Sequence, residues 1–318
     1  MKFAFFIQRM ESVGGHSILK KHIEILKESG HRVDLFVNQG EEGMRFSSLP
    51  YNSVSEGITI DAIDFDSYDK VSVNGYVILP HLQNRIKNNF HYFQQTEEDL
   101  LFPKLSNLAH SLFPKMGHYS YAPWLLENIK KEVGDTVPYN HVPTGVYFND
   151  LHKFYNEEKE DKVVFMVGYY RKIKGIQLAQ QVFARLKERG IKTVLISPYE
   201  NIFGADEHII NPDFDTKMTE LNKCGVMLHT SISETWSITC VEAMSVGVPV
   251  VGTNSKGIMS YCTDKNSKII DERITEKVTN NVIEVLQNRK KYTEECINTG
   301  RMNDWSNCED QIRQFYEG

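Results

Sequence analysis

One pattern occurs twice in this chain: an apolar run, a glycine-bearing loop, a helical stretch, a closing glycine and a second apolar run. The first copy is Phe3 to Ile7, then Gly14-Gly15, then Ile18, His22, Ile25 and Leu26 at helical spacing, then Gly30 and Val33, Leu35, Phe36 and Val37. The second is Val163 to Val167, Gly168, a helix from Gly175 through Leu186, Gly190, and Ile191 to Ile196. A short continuous apolar run suits a strand buried on both faces. Apolar residues three and four apart suit a helix with one buried stripe, and a glycine just beyond it suits a left-handed C-terminal cap. A β-α-β unit of this kind is nearly always a right-handed crossover in a parallel sheet. Two copies predict two doubly wound, Rossmann-like α/β domains. Ligands in such sheets bind beyond the carboxyl ends of the strands, so the glycine loops of both halves are expected to point at one central cleft.

The length of 318 residues accommodates two such domains, and 41% hydrophobic with 25% charged residues supplies a real core. The net charge of -6 argues against a nucleic-acid partner, since phosphate binding draws on basic excess. No run approaches the ~20 apolar residues of a membrane span. The apolar start is too short for a signal peptide before Gln8-Arg9, and the five cysteines show neither close pairing nor zinc-type spacing. The expected location is cytoplasmic, with peripheral membrane association left open.

Between the two copies, Ile58 to Ile63, Lys70 to Val73, His91 to Gln95 and Tyr139 to Pro143 read as strands. Pro80 to Lys87, Leu100 to Leu112 and Pro123 to Lys131 read as helices. The charged run Glu157 to Lys162 lacks apolar period and reads as an interdomain linker or an exposed loop within one domain. The expected division is 1–148, a linker 149–162, a second domain 163–304, and a final helix 305–318.

Four segments carry the chemistry. Gly14 and Gly15 lie where backbone amides could approach a phosphate or sugar closely; a tight turn would look the same. The loop Gly168 to Gly175 holds Arg171, Lys172 and Lys174, cations suited to the growing negative charge of a diphosphate leaving group, although a solvated basic loop would also fit. In the third, Glu234 precedes Trp236, Ser237, Ile238 and Thr239, with Glu242 following. If a helix starts near Ser237, one acid lies in the loop and the other inside a very apolar helix, with amino-terminal amides between them. A glutamate buried there is costly unless it is paired or ligating. The fourth, Val142 to Tyr147, is a strand end and a turn.

Taken in order, these segments resemble the retaining glycosyltransferases of GT-B architecture known as family four. Gly14-Gly15, Gly30-His31-Arg32-Val33, Pro143 to Tyr147 in part, Gly168 with Lys174-Gly175, and Glu234, Glu242, Ala243, Met244, Gly247, Pro249, Val250 and Val251 carry the likeness. The resemblance implies that Glu242 binds the nucleotide ribose, that Glu234 lies beside the donor sugar, and that amides of Trp236 to Thr239 hold the distal phosphate. Lys174 would neutralise the diphosphate. The family's arginine after the glycine is Tyr169 here, which leaves Arg171 or Lys172 to substitute. A first-domain histidine is replaced within Phe93 to Glu98, placing Gln94, Gln95 and Glu97 on the acceptor side. The segment Trp305 to Tyr316 resembles the family's closing helix, which crosses back to the first domain.

The implied donor is a UDP-, GDP- or dTDP-linked sugar with no essential metal or other cofactor. The implied acceptor is a glycan or glycoconjugate hydroxyl. Two rivals stand beside it: a non-catalytic sugar-nucleotide-binding subunit, and a phage-type transferase acting on modified DNA. A dinucleotide dehydrogenase is disfavoured because neither half has Gly-x-Gly-x-x-Gly after its strand. Oligomeric state is not legible.

Overall fold

A computed structural model describes residues 1–7, 14–38, 45–49, 58–95, 98, 102–169 and 171–318. The chain divides into two compact units, Met1–Thr144 with Cys308–Gly318, and Gly145–Asn307. The first unit holds β1 (Lys2–Ile7), β2 (Arg32–Asn38), β3 (Arg45–Leu49), β4 (Ile58–Thr59), β5 (Lys70–Asn74), β6 (Phe90–Phe93), β7 (Gly117–Ser120) and β8 (Tyr139–His141). Their order is β4-β3-β2-β1-β5-β6-β7-β8. The six strands from β2 to β8 along this order are parallel, and β3 and β4 extend the edge antiparallel.

β1 lies at the centre of that sheet, and Phe3 through Ile7 are each at most 1% exposed, as a run without polar alternation requires. Phe6 stacks on Phe36 at 4.6 Å and Phe93 on Tyr119 at 4.4 Å. The carboxyl-terminal helix Glu309–Glu317 belongs to the same unit. Its Tyr316 is buried edge-on to Phe3, with its hydroxyl 3.1 Å from that of Tyr119 and 3.2 Å from His22 Nδ1.

The second unit holds β9 (Glu160–Met166), β10 (Lys192–Ser197), β11 (Glu207–Ile210), β12 (Cys224–His229), β13 (Val250–Thr253) and β14 (Ser267–Ile270). All are parallel, in the order β11-β10-β9-β12-β13-β14. The order runs outward in both directions from β9 and β12, so the topological switch point falls between these two strands.

Several local expectations change. Gly14 and Gly15 are the first residues of the helix Gly14–Glu28 rather than a loop before it. Only Ile58–Thr59 of the expected strand is extended; Ile60–Ala62 turns as 3₁₀ helix. The helix expected from Pro80 to Lys87 is confined to Leu79–Leu82. Asn84, Asn88 and Asn89 follow it, residues of low helix propensity, and Asn89 is held instead by tertiary bonds from its amide to the Phe65 and Tyr68 carbonyls. Of Leu100 to Leu112, Ser106–Leu112 is helical, and 99–101 lie outside the described residues.

Residues 149–162 are part helix and part strand, with 153–159 in turns and irregular structure between them. Phe148–His152 is a short helix and β9 begins at Glu160. The charged run lacks an apolar period because its charges find partners on neighbouring elements. Lys162 bridges Glu160 and Glu207 at 2.8 Å each, and Arg289 meets Asp161 at 2.7 Å.

In the first unit the imidazoles of His22 and His118 are buried and that of His91 is partly buried. Burial pushes His22 down to about 3, and His91 and His118 down to about 4. Because the unfolded value is near 6.5, the unfolded chain binds more protons between these limits. The stability these groups contribute is complete above pH ~6.5 and lost as pH falls towards 4, at about 1.4 kcal/mol per pH unit for each group. Thermal denaturation between pH 7 and pH 4.5 should show a falling midpoint, with a shallower slope in His118→Gln. An unchanged slope in that variant would contradict the assignment.

Candidate active site

The loops that follow β9 and β12 meet at the switch point of the second sheet. After β9 the chain passes Gly168 and Tyr169, makes a 3₁₀ turn at Lys172–Lys174, and enters the helix Ile176–Glu188 through Gly175. Gly175 has φ +65°, and a Cβ there would stand 1.8 Å from the Thr230 carbonyl oxygen and 2.4 Å from Arg273 Nη2. Only glycine permits both the backbone conformation and this approach. The Thr230 hydroxyl donates to the Lys174 carbonyl at 3.1 Å, and the Ile232 amide donates to the Ile173 carbonyl at 2.7 Å. Arg273 clamps the second loop, donating to the carbonyls of Thr230 at 2.6 Å and Ser231 at 3.2 Å and to the Thr253 hydroxyl at 2.6 Å.

This stitching brings Lys174 Nζ to 2.5 Å from Glu234 Oε1, which also accepts from the Ser231 hydroxyl at 2.7 Å. Burial acts to raise the Glu234 carboxyl, but the Lys174 ammonium, His229 and the two hydrogen bonds outweigh it and hold the group below the usual carboxylate range. Burial likewise acts to lower Lys174, and the attraction of Glu234, followed by Tyr169, raises it instead. Both groups are therefore charged at neutral pH.

Glu234 leads into the helix Ile238–Ser245, as the spacing predicted. Its amide donates to the Ser255 carbonyl at 2.9 Å, and its carbonyl accepts from the Gly257 amide at 3.0 Å. A Cβ on Gly257 would stand 2.3 Å from that carbonyl oxygen. Ser237 adopts φ +62° before the first turn, and the Tyr261 hydroxyl donates to the carbonyls of Trp236 at 2.5 Å and Ser237 at 3.0 Å. Trp236 is buried edge-on to Tyr261. The first amides of a helix, here those of Ile238 and Thr239, have no acceptor within the helix and carry its positive pole. Such a terminus takes an anion readily. Behind it, His229 is buried between the Ser255 hydroxyl and Cys240, and burial pushes it down to about 4.

Glu242 lies inside this helix and is 9% exposed. Its Oε1 accepts from Lys217 Nζ at 2.7 Å, while its Oε2 is buried with no hydrogen-bond partner among the described residues. An unmet buried acceptor of this kind costs about 1–3 kcal/mol. A donor-bearing ligand would relieve that cost.

The other expected site residues are placed as follows. Arg171 and Lys172 are exposed, and the Arg171 guanidinium lies over the Tyr169 ring at 4.9 Å, with the Lys174 ammonium 5.1 Å from the same ring. Gly168 is exposed with open space about it. In the first unit, Gly15 accepts through its carbonyl from Gln95 Nε2 at 2.8 Å, and Gly14 precedes it in the helix. Gln94 is 2% exposed, its amide 3.5 Å from His118 Nδ1. Glu97 lies outside the described residues. Sequence reasoning missed Lys217, His229, Tyr261 and Arg273. His229 closes an apolar strand, a usable signal; the other three belong to segments that no motif links to the glutamates. Among the described residues no cluster of three or more potential metal ligands occurs, and no helix is long and apolar enough to cross a membrane.

Residues 204–302 match the family described as Glycosyl transferases group 1. N-acetyl-alpha-D-glucosaminyl L-malate synthase of Bacillus anthracis is 27% identical over 135 residues, 38% of this chain and 35% of that protein's length. The match therefore spans about a third of this curated relative. Sucrose-phosphate synthase from Thermosynechococcus elongatus superposes with a TM-score of 0.78 at 12% identity, covering 99% of this chain and 98% of that one. Anabaena HepE, solved with UDP and glucose, gives 0.71 at 14% identity, covering 100% and 99%. The fold is that of GT-B glycosyltransferases. Family match and fold together support a glycosyltransferase.

Gly175→Ala should break the stitched loops, because left-handed backbone alone costs a non-glycine residue about 1–3 kcal/mol and the Thr230 contact adds to it. Thermal denaturation should show a clearly lowered midpoint. A midpoint equal to the parent's would show that the two loops are not held as described.

Proposed function

We propose that this chain is a retaining glycosyltransferase that moves a sugar from a nucleotide-diphosphate donor to a hydroxyl acceptor. The observation that carries the reading is the Lys174–Glu234 pair at the switch point, beside the start of the helix that holds Glu242. These groups divide the donor by its chemistry. The Lys174 ammonium and the amides from Ser237 to Thr239 suit the diphosphate, with Arg171 and Lys172 as further cations from the same loop. The Glu234 carboxylate suits sugar hydroxyls, and Glu242 suits the ribose. Trp236 shapes the turn into the helix and Gly168 leaves the loop open; we also assign Gly14 and Gly15 to donor binding, through backbone amides at the start of their own helix. On the acceptor side we assign Gln94, Gln95 and Glu97, with Gln95 acting through its position on Gly15. HepE was solved with UDP, which makes a UDP-sugar the first donor to try, ahead of GDP- and dTDP-sugars. The acceptor class proposed is a saccharide of a surface glycan or glycoconjugate.

In the proposed reaction the acceptor oxygen forms its bond to the anomeric carbon on the face from which the diphosphate leaves. The bond from that carbon to the phosphate oxygen breaks with its electron pair going to the phosphate, and the same phosphate oxygen takes the acceptor proton. Negative charge grows on the diphosphate as this happens, so a fixed cation and oriented amides stabilise the transition state more than the ground state. No protein base is required on this route.

Lys174→Ala should lower transfer about 10²–10³-fold, the range for removing one group that stabilises developing charge. The assay is release of free nucleotide from a donor panel by the purified chain, with folding checked by circular dichroism. Turnover near that of the parent would sink the role given to Lys174. A parent chain that binds nucleotide sugars but releases nothing, with or without acceptor, would favour the binding-subunit alternative.

A further inference from the structure

Lys217 is not part of any segment that pointed to chemistry in the sequence. It lies in the helix Phe214–Lys223, whose start is capped by Asp213, and its ammonium rests 5.4 Å from the Phe214 ring. From there it donates to Glu242 Oε1 at 2.7 Å. The opposite oxygen, Oε2, has no partner among the described residues and is buried. The lysine therefore pins one carboxylate oxygen from a different helix and fixes the direction of the other. An ionised carboxylate only accepts hydrogen bonds, so what completes Oε2 must be an N–H or O–H donor.

We propose that Lys217 is a positioning residue for the ribose of the donor nucleotide: by holding Oε1 it presents Glu242 Oε2 as the acceptor for a ribose hydroxyl. The inference rests on the donor-site reading above and adds to it the group that orients the acceptor. Lys217 acts through Glu242 and needs no contact with the nucleotide. Removing it would free the carboxylate to turn, and the affinity lost would be the part that depends on the hydroxyl.

The test is isothermal titration of the full chain with UDP, 2′-deoxy-UDP and 3′-deoxy-UDP, or the guanosine series if UDP does not bind. The parent should bind at least one deoxy analogue about 10- to 100-fold more weakly than the ribonucleotide, the range for a hydrogen bond to a charged group. Lys217→Met should bring the ribonucleotide down to that weaker level and leave the deoxy analogue within about threefold of its parent value. Lys217→Arg, which keeps a cation able to pair with a carboxylate, should restore most of the difference. Equal weakening of both ligands by Lys217→Met would mean general damage and overturn the proposal, as would unchanged discrimination. If Glu242→Ala abolishes discrimination and Lys217→Met does not, only the role of Lys217 falls. If the parent does not discriminate, or binds neither of these series nor dTDP, the donor-site reading falls and the proposal falls with it.

Discussion

A partly buried ion pair at the switch point of the second sheet, Lys174 with Glu234, is the constraint on which the candidate site depends. Two charges taken out of water are retained only when each is the other's partner and further hydrogen bonds complete the shell. The surrounding structure meets that condition with hydroxyls, one further cation and close backbone approach. Threonine and serine hydroxyls, an arginine clamp on three oxygens, and two glycines allow carbonyls to approach where a side chain would collide. The pair is thus both a product of the loop packing and a reason for it. A cation and a carboxylate, held charged at one place, are what a donor with a diphosphate at one end of its sugar and hydroxyls on the other face would meet.

The second acid is managed differently. Glu242 is half satisfied, with a lysine on one oxygen and nothing described on the other. Native interiors rarely tolerate such an acceptor without a reason. It lies in the helix whose amino terminus follows Glu234, so one acid is carried by the helix and the other by the loop that enters it.

Much of this was legible in the sequence, and the reasons are local. Strands buried on both faces, such as β1 and β9, announce themselves as unbroken apolar runs. Gly30 and Gly190 mark helix ends because both adopt positive φ, +81° and +75°. The helix after Glu234 could be placed because an apolar stretch with a glutamate inside it has few solutions. What escaped was set by tertiary contact. Charges from Glu157 to Lys162 look like a linker until Glu207 and Arg289 are brought beside them by the fold. Gly14 and Gly15 look like a loop because glycine is a poor helix former, yet Gly15 leaves space that Gln95 fills. Lys217 and Arg273 reach the site from segments whose own pattern is that of ordinary surface helix and loop, and no spacing rule connects them to it.

The most direct measurement is a crystal structure of this protein with a nucleoside diphosphate bound. The account predicts phosphate oxygens within hydrogen-bond distance of Lys174 Nζ and of the amides of Ile238 and Thr239, and a ribose hydroxyl on Glu242 Oε2. A nucleotide bound elsewhere, with the Lys174–Glu234 pair untouched and Glu242 Oε2 still without a partner, would contradict it.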